Sequence, residues 1–441
     1  MPDWVKHAVL WQIYPLGFVG AEAAAADRPD IVHRLAHVEQ WLGYAADLGV
    51  SGLLLGPIFA SSTHGYDTSD YLAIDRRLGD DGDFDALIKA AHRRGLKVIL
   101  DGVFNHVGRE FPPFRDALAG GPQAPEAAWF HLAWPAGARP GSEPDYATFE
   151  GHRQLVALNH GEPEVARFVA RVMNHWLERG ADGWRLDAAY AVPRQFWENV
   201  LPQVRAEYPQ AYIVGEVIHG DYAGFVRETG VDAVTQYELW KAIWSSLNDR
   251  NFFELAWALD RHDALLETFA PQTFVGNHDV TRIASRLVDE RHLPHALVVL
   301  LTCGGTPSIY AGDEQAFRGI KEDRAGGDDA IRPAFPASPS DLAPFGWPVY
   351  RLHQDLIGMR RPHPWLHGAR TRAVELRNTH FIYEAVDHEQ RLLVGLNLAD
   401  TPVVRSVAGS YSVMLGNATC QRTDASQTQL TLPPHGWGIF A

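Results

Sequence analysis

Short apolar runs rich in β-branched residues alternate along most of the chain with segments whose apolar residues recur at helical spacing. About eight strand–helix pairs can be counted, which is the number that closes a parallel barrel. The runs are apolar throughout, as expected for strands that are buried on both faces. We therefore predict an α/β fold, a (β/α)8 TIM barrel. The predicted strands span residues 9–14, 51–59, 97–104, 183–187, 211–216, 233–237, 273–277 and 307–310.

Two segments break this alternation. Residues 106–158 are rich in Pro, Gly and aromatic residues and show neither period, which favours a small inserted domain after the third strand over the alternative of a long disordered loop. After residue 366 the pattern changes to short alternating stretches, which indicate an antiparallel β-sandwich. The predicted domains are the barrel (1–105 and 159–366), the insert (106–158) and the C-terminal β domain (367–441).

Composition and charge narrow the function classes. Hydrophobic residues make up 46% of the chain and charged residues 21%, as in ordinary globular proteins. The net charge of -15 repels phosphate backbones, so we expect no nucleic-acid partner. No run approaches the roughly 20 apolar residues of a membrane span, so we expect no membrane partner. The first residues lack the pattern of a secretory signal and the only cysteines are Cys303 and Cys420, which predicts a cytoplasmic protein without disulfides.

Polar residues stand where the predicted strands end, and in a barrel these ends meet at one rim. Burying such groups within apolar strands is costly, which favours a functional reason for their presence. A single Asp in such a place is usually a helix cap or a loop charge, so the interpretation rests on their joint occurrence. The residues are Asp101, Asn105 and His106 after the third strand, Arg185 and Asp187 after the fourth, Glu216 and His219 after the fifth, and Asn277, His278 and Asp279 after the seventh.

This set of side chains is typical of glycoside hydrolysis, which uses one carboxylate as nucleophile and one protonated acid. Arg185 lies two positions before Asp187 on the same strand face, so we expect it to lower the pKa of a nucleophilic Asp187. Glu216 is expected to have no adjacent cation, and Asp187 and Asp279 are expected to raise its pKa, as suits a proton donor. Neighbouring strands would bring the two carboxyl groups to the separation of about 5–5.5 Å that a retaining mechanism requires.

Metal binding is the alternative use of these acids and histidines. No His-x-x-x-His motif or cysteine pair accompanies them, so we predict no metal and no cofactor. His106 and His278 are instead expected to form hydrogen bonds with sugar hydroxyls.

The strand-end motifs resemble those of the α-amylase family of glycoside hydrolases. They are DGVFNH (101–106), GWRLDAA (183–189), VGEVIH (214–219) and FVGNHD (274–279), with GPIFASSTHGYDTSDY (56–71) and GTPSIYAGDE (305–314) as further matches. The resemblance implies that Asp187 is the nucleophile, Glu216 the acid/base and Asp279 the residue that stabilises the transition state. It also implies a barrel with an inserted domain and a C-terminal β-sandwich.

The same resemblance implies several residues that bind the substrate. Tyr66 would stack on the sugar at the cleavage site, with His64 and Asp67 nearby. Arg185 and the histidines would complete the set: His106, His219 and His278.

The insert is similar to that of the neopullulanase and cyclomaltodextrinase branch, which acts on cyclodextrins, pullulan and short maltodextrins. That branch usually has an extra N-terminal domain that builds its dimer. Because the first predicted strand begins at residue 9, we expect this domain to be absent and leave open a monomer or a homodimer. The motif LVALNH (155–160) departs from several subgroups, which weakens a specificity assignment. Asn105 matches a calcium ligand of some members, but the insert offers no Asp-rich partner set.

The sequence thus predicts a retaining α-glucoside hydrolase whose partner is an oligosaccharide, a short or cyclic maltodextrin cut at α-1,4 bonds, with α-1,6 bonds left open. Two alternatives remain. The first is an α-glucan transglycosylase, which would form the same covalent intermediate but use a sugar as acceptor. The second is a non-catalytic carbohydrate-binding or interaction barrel, which we expect to have lost the acids.

Overall fold

The computed structural model describes residues 1–27, 30–324, 326–424 and 426–441. Its centre is a ring of eight parallel strands, which confirms the predicted TIM barrel. Every residue of these strands except Lys97 is buried, in agreement with their apolar sequences. The strands are β1 (Leu10–Ile13), β2 (Gly52–Leu55), β3 (Lys97–Gly102), β4 (Gly183–Leu186), β5 (Tyr212–Gly215), β6 (Ala233–Val234), β7 (Gln272–Phe274) and β8 (Thr306–Tyr310).

Strand pairing follows the chain around the barrel. Each strand from β1 to β5 pairs with the next, β1 also pairs with β8, and β8 pairs with β7. Between β6 and β7 the wall is closed by one isolated bridge, Thr235 with Gln272, and by a hydrogen bond from the Gln236 N–H to the Gln272 carbonyl. This join is therefore the least extensively paired part of the wall.

Helices surround the barrel and connect its strands. Their starts follow from local sequence: at Asp81–Arg93, for example, the carboxylates of Asp80 and Asp83 form a reciprocal capping box. No helix of the described ranges has the length and apolar character needed to cross a bilayer. The helices are Pro15–Phe18, Leu35–Gln40, Leu42–Leu48, Asp81–Arg93, Pro112–Gly120, Pro163–Glu178, Arg194–Glu207, Tyr222–Thr229, Tyr237–Asn248, Phe252–Leu265, Ile283–Arg286, Leu293–Thr302 and Trp347–Arg360.

The segment between β3 and the helix Pro163–Glu178 is folded. Phe114 packs edge-on against Phe130 and Tyr146, with ring centroids 5.1 and 5.2 Å apart, and this gives the segment an aromatic core. Its short strands are His106–Gly108, Leu132–Ala133, Asp145–Tyr146, Thr148–Phe149 and His152–Ala157. A hairpin of Phe59–Ser61 and Thr68–Ile74 follows β2. Its second strand contacts the strand His106–Gly108 of the inserted segment.

The C-terminal part contains two antiparallel sheets. The strand order of the first is Arg370–Leu376, His380–Asp387, Gln390–Asn397, Trp437–Phe440 and Val413–Gly416, and that of the second is Val403–Ala408, Gln427–Leu432 and Thr419–Arg422. Ile382 and Leu393 from the first sheet pack with Leu430 and Leu432 from the second. This part has the β architecture expected from its alternating sequence. The strands are β9 (Arg370–Leu376), β10 (His380–Asp387), β11 (Gln390–Asn397), β12 (Val403–Ala408), β13 (Val413–Gly416), β14 (Thr419–Arg422), β15 (Gln427–Leu432) and β16 (Trp437–Phe440).

Candidate active site

A cavity of about 310 Å³ opens at the carboxyl ends of the barrel strands. Three predicted catalytic acids line it: Asp187 directly after β4, Glu216 directly after β5, and Asp279 beyond β7. Tyr66 and His106 also line it. The ends of separate strands therefore bring together residues that are far apart in the sequence.

The Arg185 guanidinium is the centre of the charged cluster below the cavity. Its Nη1 lies 2.7 Å from both carboxylate oxygens of Asp101 and 3.2 Å from Asp187 Oδ1. Its Nη2 lies 2.8 Å from Glu216 Oε1. The Arg185 side chain is only 3% exposed, so these contacts are made almost without water. One buried cation thus orients three carboxyl groups.

The expectation that Glu216 has no adjacent cation is wrong. In the register of β4 and β5, Arg185 lies opposite Val214, and Glu216 follows Val214 by two positions on the same strand face. The contact therefore comes from strand pairing and not from proximity along the chain.

Two further groups hold the Glu216 carboxyl. The Ala188 N–H donates to Oε2 at 3.0 Å, and the Tyr237 hydroxyl donates to Oε1 at 3.1 Å. Tyr237 in turn accepts a hydrogen bond from Asn277 Nδ2 at 2.9 Å. Tyr237 was predicted only as the end of a strand, and it instead begins the helix Tyr237–Asn248.

The predicted lowering of the Asp187 pKa is also wrong. Burial is the largest influence and raises the pKa of Asp187 well above its ordinary value, while Arg185 opposes this and the negative charge of Glu216 adds to it. The sequence showed the nearby cation but not the extent of burial. The carboxyl groups of Asp101, Asp187 and Glu216 share the single guanidinium of Arg185. This excess of acids favours one of the three carboxyl groups being protonated in the free protein.

Asp279 has the opposite behaviour. Partial burial works against its ionisation, but the charges and hydrogen bonds of its neighbours hold the pKa of Asp279 below its ordinary range. His278 Nε2 lies 3.0 Å from Asp279 Oδ2, and Arg332 Nη2 lies 2.8 Å from Oδ1. Arg332 comes from the loop beyond β8, and no motif in the sequence identified it.

His278 is fixed from several sides. Its Nδ1 lies 3.0 Å from Gln12 Nε2 at the end of β1. Its ring is parallel to those of Tyr14 and Tyr66, at centroid distances of 6.1 and 5.6 Å. The Tyr66 hydroxyl also contacts His278 Nε2 and lies 3.4 Å from Asp101 Oδ2. Tyr66 is therefore held at the cavity, and its stacking on a sugar stays a prediction.

His106 also lies at the cavity. Its Nε2 is 3.1 Å from the Tyr66 carbonyl, and its ring stacks on Phe149 at 4.6 Å. Burial lowers the pKa of His106 to about 3, so the side chain is neutral near pH 7.

Five predicted binding residues do not line this cavity. Two of them, Arg185 and His278, lie behind it in contact with the acids that do. His64 is exposed, and its Nδ1 accepts a hydrogen bond from the Tyr66 N–H at 3.2 Å. Asp67 is buried in its loop, where it accepts hydrogen bonds from the N–H and hydroxyl of Thr63. His219 is exposed, with its ring 6.4 Å from that of Tyr190. In these positions, His64 and Asp67 shape the loop that carries Tyr66.

Other residues line the cavity without having been predicted. Glu150, Tyr190 and Lys321 belong to three different loops, and the Tyr190 hydroxyl lies 3.4 Å from Glu150 Oε1. Glu150 has a left-handed backbone, with φ of 50°. A cavity with carboxyl groups at its base and aromatic rings on its walls has the chemistry that sugar binding and acid–base catalysis require.

The chain resembles known proteins over most or all of its length. The family model "Alpha amylase, catalytic domain" matches residues 12–366. A cyclomaltodextrinase from Geobacillus thermopakistaniensis (strain MAS1) is 32% identical over 100% of this chain and 78% of its own length. Neopullulanase 2 from Thermoactinomyces vulgaris is 36% identical over 73% of this chain and 58% of its own length. The native form of a Nostoc punctiforme debranching enzyme superposes with a TM-score of 0.85 at 27% identity, covering 100% of this chain and 99% of that one.

Proposed function

Because the chain belongs to the α-amylase family of glycoside hydrolases, we propose that it hydrolyses short or cyclic maltodextrins with retention of configuration. We propose that it cuts α-1,4 bonds. Whether it also cuts α-1,6 bonds is an outcome of the test below. The observation that carries the proposal is the shared guanidinium of Arg185, which holds Asp187 and Glu216 together at the base of one cavity. Two carboxyl groups flanking the scissile bond are what this reaction requires.

In the proposed first step, Asp187 attacks the anomeric carbon while the glycosidic C–O bond breaks. Arg185 contacts Oδ1, which leaves Oδ2 as the attacking oxygen. Glu216 gives its proton to the leaving oxygen and becomes a carboxylate. Oε1 already contacts the Arg185 guanidinium and accepts a hydrogen bond from Tyr237, whereas the donor at Oε2 is the Ala188 N–H. Oε2 is therefore the oxygen that would carry the transferred proton.

In the second step, Glu216 takes a proton from water, the water oxygen bonds to the anomeric carbon, and the ester bond to Asp187 breaks. The ionised Asp279 accepts hydrogen bonds from sugar hydroxyls and stabilises the positive charge of the transition state. The contacts of Asp279 with His278 and Arg332 keep it ionised and in place.

Substrate class is supported by the cavity and by the relatives. A cavity of about 310 Å³ is of the size that binds small molecules. The cyclomaltodextrinase and the neopullulanase are named for cyclic maltodextrins and for pullulan, which extends the proposal to these substrates. The cytoplasmic location and the monomeric or homodimeric state stay predictions.

A panel of linear, branched and cyclic gluco-oligosaccharides, with products separated by chromatography, tests this proposal. We expect hydrolysis of maltotriose and of a cyclic maltodextrin, with the released anomer retaining the α configuration by NMR. Products longer than the substrate would identify the transglycosylase alternative. No conversion of any panel member would favour the non-catalytic alternative and refute the proposal.

A further inference from the structure

A second group of reactive side chains lies away from the cavity, where the barrel meets the C-terminal sheets. Asp289 and His292 lie in the turn before the helix Leu293–Thr302, and His435 lies in the loop between β15 and β16. One ligand atom from each lies within 4.8 Å of the other two. We propose that these three residues bind a zinc ion that links the barrel to the C-terminal sheets.

The two imidazoles already share a hydrogen bond between the nitrogen atoms that would bind the metal, so zinc would take the place of the proton between them. His292 Nε2 and His435 Nδ1 are 3.0 Å apart, whereas two nitrogen ligands of a tetrahedral zinc ion are about 3.3 Å apart. Asp289 Oδ2 lies 3.9 Å from His292 Nε2 and needs only a small movement to join them. A water molecule would complete the tetrahedron.

His435 is held in the orientation of a metal ligand. Its Nε2 lies 2.8 Å from Asp400 Oδ1, so the proton of the neutral ring is on Nε2 and the lone pair of Nδ1 points toward the cluster. A carboxylate that accepts the second N–H is the usual support of a metal-binding histidine. His435 also has a left-handed backbone, with φ of 51°, which is uncommon for a residue other than glycine.

Burial distinguishes this cluster from a chance surface group. The side chains of His292 and His435 are 3% and 6% exposed. In the next helical turn, His295 Nε2 lies 3.1 Å from the Asn397 carbonyl and 3.2 Å from the Gly436 carbonyl. The imidazoles therefore lie inside an ordered junction and lose little freedom when a metal binds.

Arg291 is the competitor for Asp289. Its side chain lies 2.9 Å from Oδ1 and 2.6 Å from Oδ2, but it is 57% exposed and free to move into solvent. The Arg291 backbone N–H also donates to Oδ1, at 3.1 Å. Zinc would replace the guanidinium at Oδ2 and leave that backbone hydrogen bond intact. Nearby, Arg250 contacts Asp400 Oδ2 at 3.4 Å and balances the charge of this second carboxylate.

Ligand chemistry selects the metal. Two imidazole nitrogens with one carboxylate suit zinc, whereas calcium and magnesium prefer sets made of oxygen ligands. A second group, His33 with Asp80 and Asp83, also has ligand atoms within 4.8 Å of one another, but the His33 side chain is 63% exposed. This group provides a matched control on the same molecule.

The experiment uses the full chain, stripped of metal with a chelator that is then removed. Zinc binding is measured by equilibrium dialysis with metal analysis, and stability by thermal unfolding with and without zinc. We expect one bound zinc ion and a raised unfolding temperature for the wild type and for His33→Ala. His435→Asn and Asp289→Asn should lose both effects, and Asn is chosen at 435 because it tolerates a left-handed backbone.

A gain of affinity separates a metal site from a merely structural cluster. Arg291→Gln removes the competitor of zinc and should lower the zinc Kd severalfold. Hydrolysis in the absence of zinc, measured for each variant, shows that the barrel is folded. The proposal fails if the wild type binds no zinc, if His33→Ala loses the zinc, if His435→Asn binds it undiminished, or if Arg291→Gln weakens binding.

Discussion

Replacing Tyr237 with Phe removes one oxygen atom that donates a hydrogen bond to Glu216 at 3.1 Å and accepts one from Asn277 at 2.9 Å. The half-buried ring stays, so the change isolates the hydroxyl. A hydrogen bond to a charged group contributes about 1.5–3 kcal/mol. If this contribution is made in the transition state, kcat/KM for maltotriose should fall about 10- to 150-fold, because each 1.36 kcal/mol corresponds to a factor of ten.

The choice of substrate distinguishes positioning of the acid from a general defect. A 4-nitrophenyl maltoside has a leaving group that departs without protonation, so its hydrolysis depends far less on a correctly oriented Glu216. We expect Tyr237→Phe to reduce kcat/KM strongly for maltotriose and only slightly for the 4-nitrophenyl substrate. Tyr190→Phe is the control, because the Tyr190 hydroxyl is 3.4 Å from Glu150 and has no contact with Glu216. Equal losses on both substrates, or no loss on maltotriose, would refute the reasoning.

Three further predictions follow from the described contacts. Asp187→Asn should abolish release of glucose and maltose from maltotriose while leaving thermal unfolding nearly unchanged; wild-type turnover would contradict its role as nucleophile. Arg332→Gln removes the 2.8 Å contact with Asp279, so kcat/KM should fall about tenfold or more, and an unchanged value would show that His278 alone suffices. Burial raises the pKa of Asp263 from 3.8 to about 7. Between these two values the folded state binds more protons than the unfolded state. The free energy of unfolding should therefore fall by up to about 4 kcal/mol as the pH rises from 4 to 7. In urea unfolding, Asp263→Asn should flatten this dependence, and an unaltered slope would assign it to other groups.

The barrel was predictable because continuous apolar runs indicate strands that are buried on both faces, and apolar residues at helical spacing indicate helices with one buried face. The fourth strand was predicted at 183–187, and β4 spans Gly183–Leu186. The sixth strand was placed at 233–237, but β6 ends at Val234 and a helix begins at Tyr237. Thr235 and Gln236, which lie between the two elements, are neither Gly nor Pro, so no turn signal in the sequence marks that boundary.

The meeting of Asp187, Glu216 and Asp279 at one cavity follows from the position of each after its strand, which the sequence shows. The contact of Arg185 with Glu216 does not, because it depends on the register of two strands. Arg332 reaches Asp279 from the end of a short 3-10 helix, Asp329–Ile331, in the long connection after β8, and no local pattern marks such a residue.

The single bridge between β6 and β7 has a consequence for the acid residue. Tyr237 follows β6 and Asn277 follows β7, so their 2.9 Å hydrogen bond spans the gap where the sheet has fewest main-chain bonds. The Tyr237 hydroxyl, which orients Glu216, thus also helps to close the barrel between β6 and β7. A substitution of Tyr237 or Asn277 would affect proton transfer by Glu216 and the closure of the barrel at the same time. Few side chains can therefore replace these two residues.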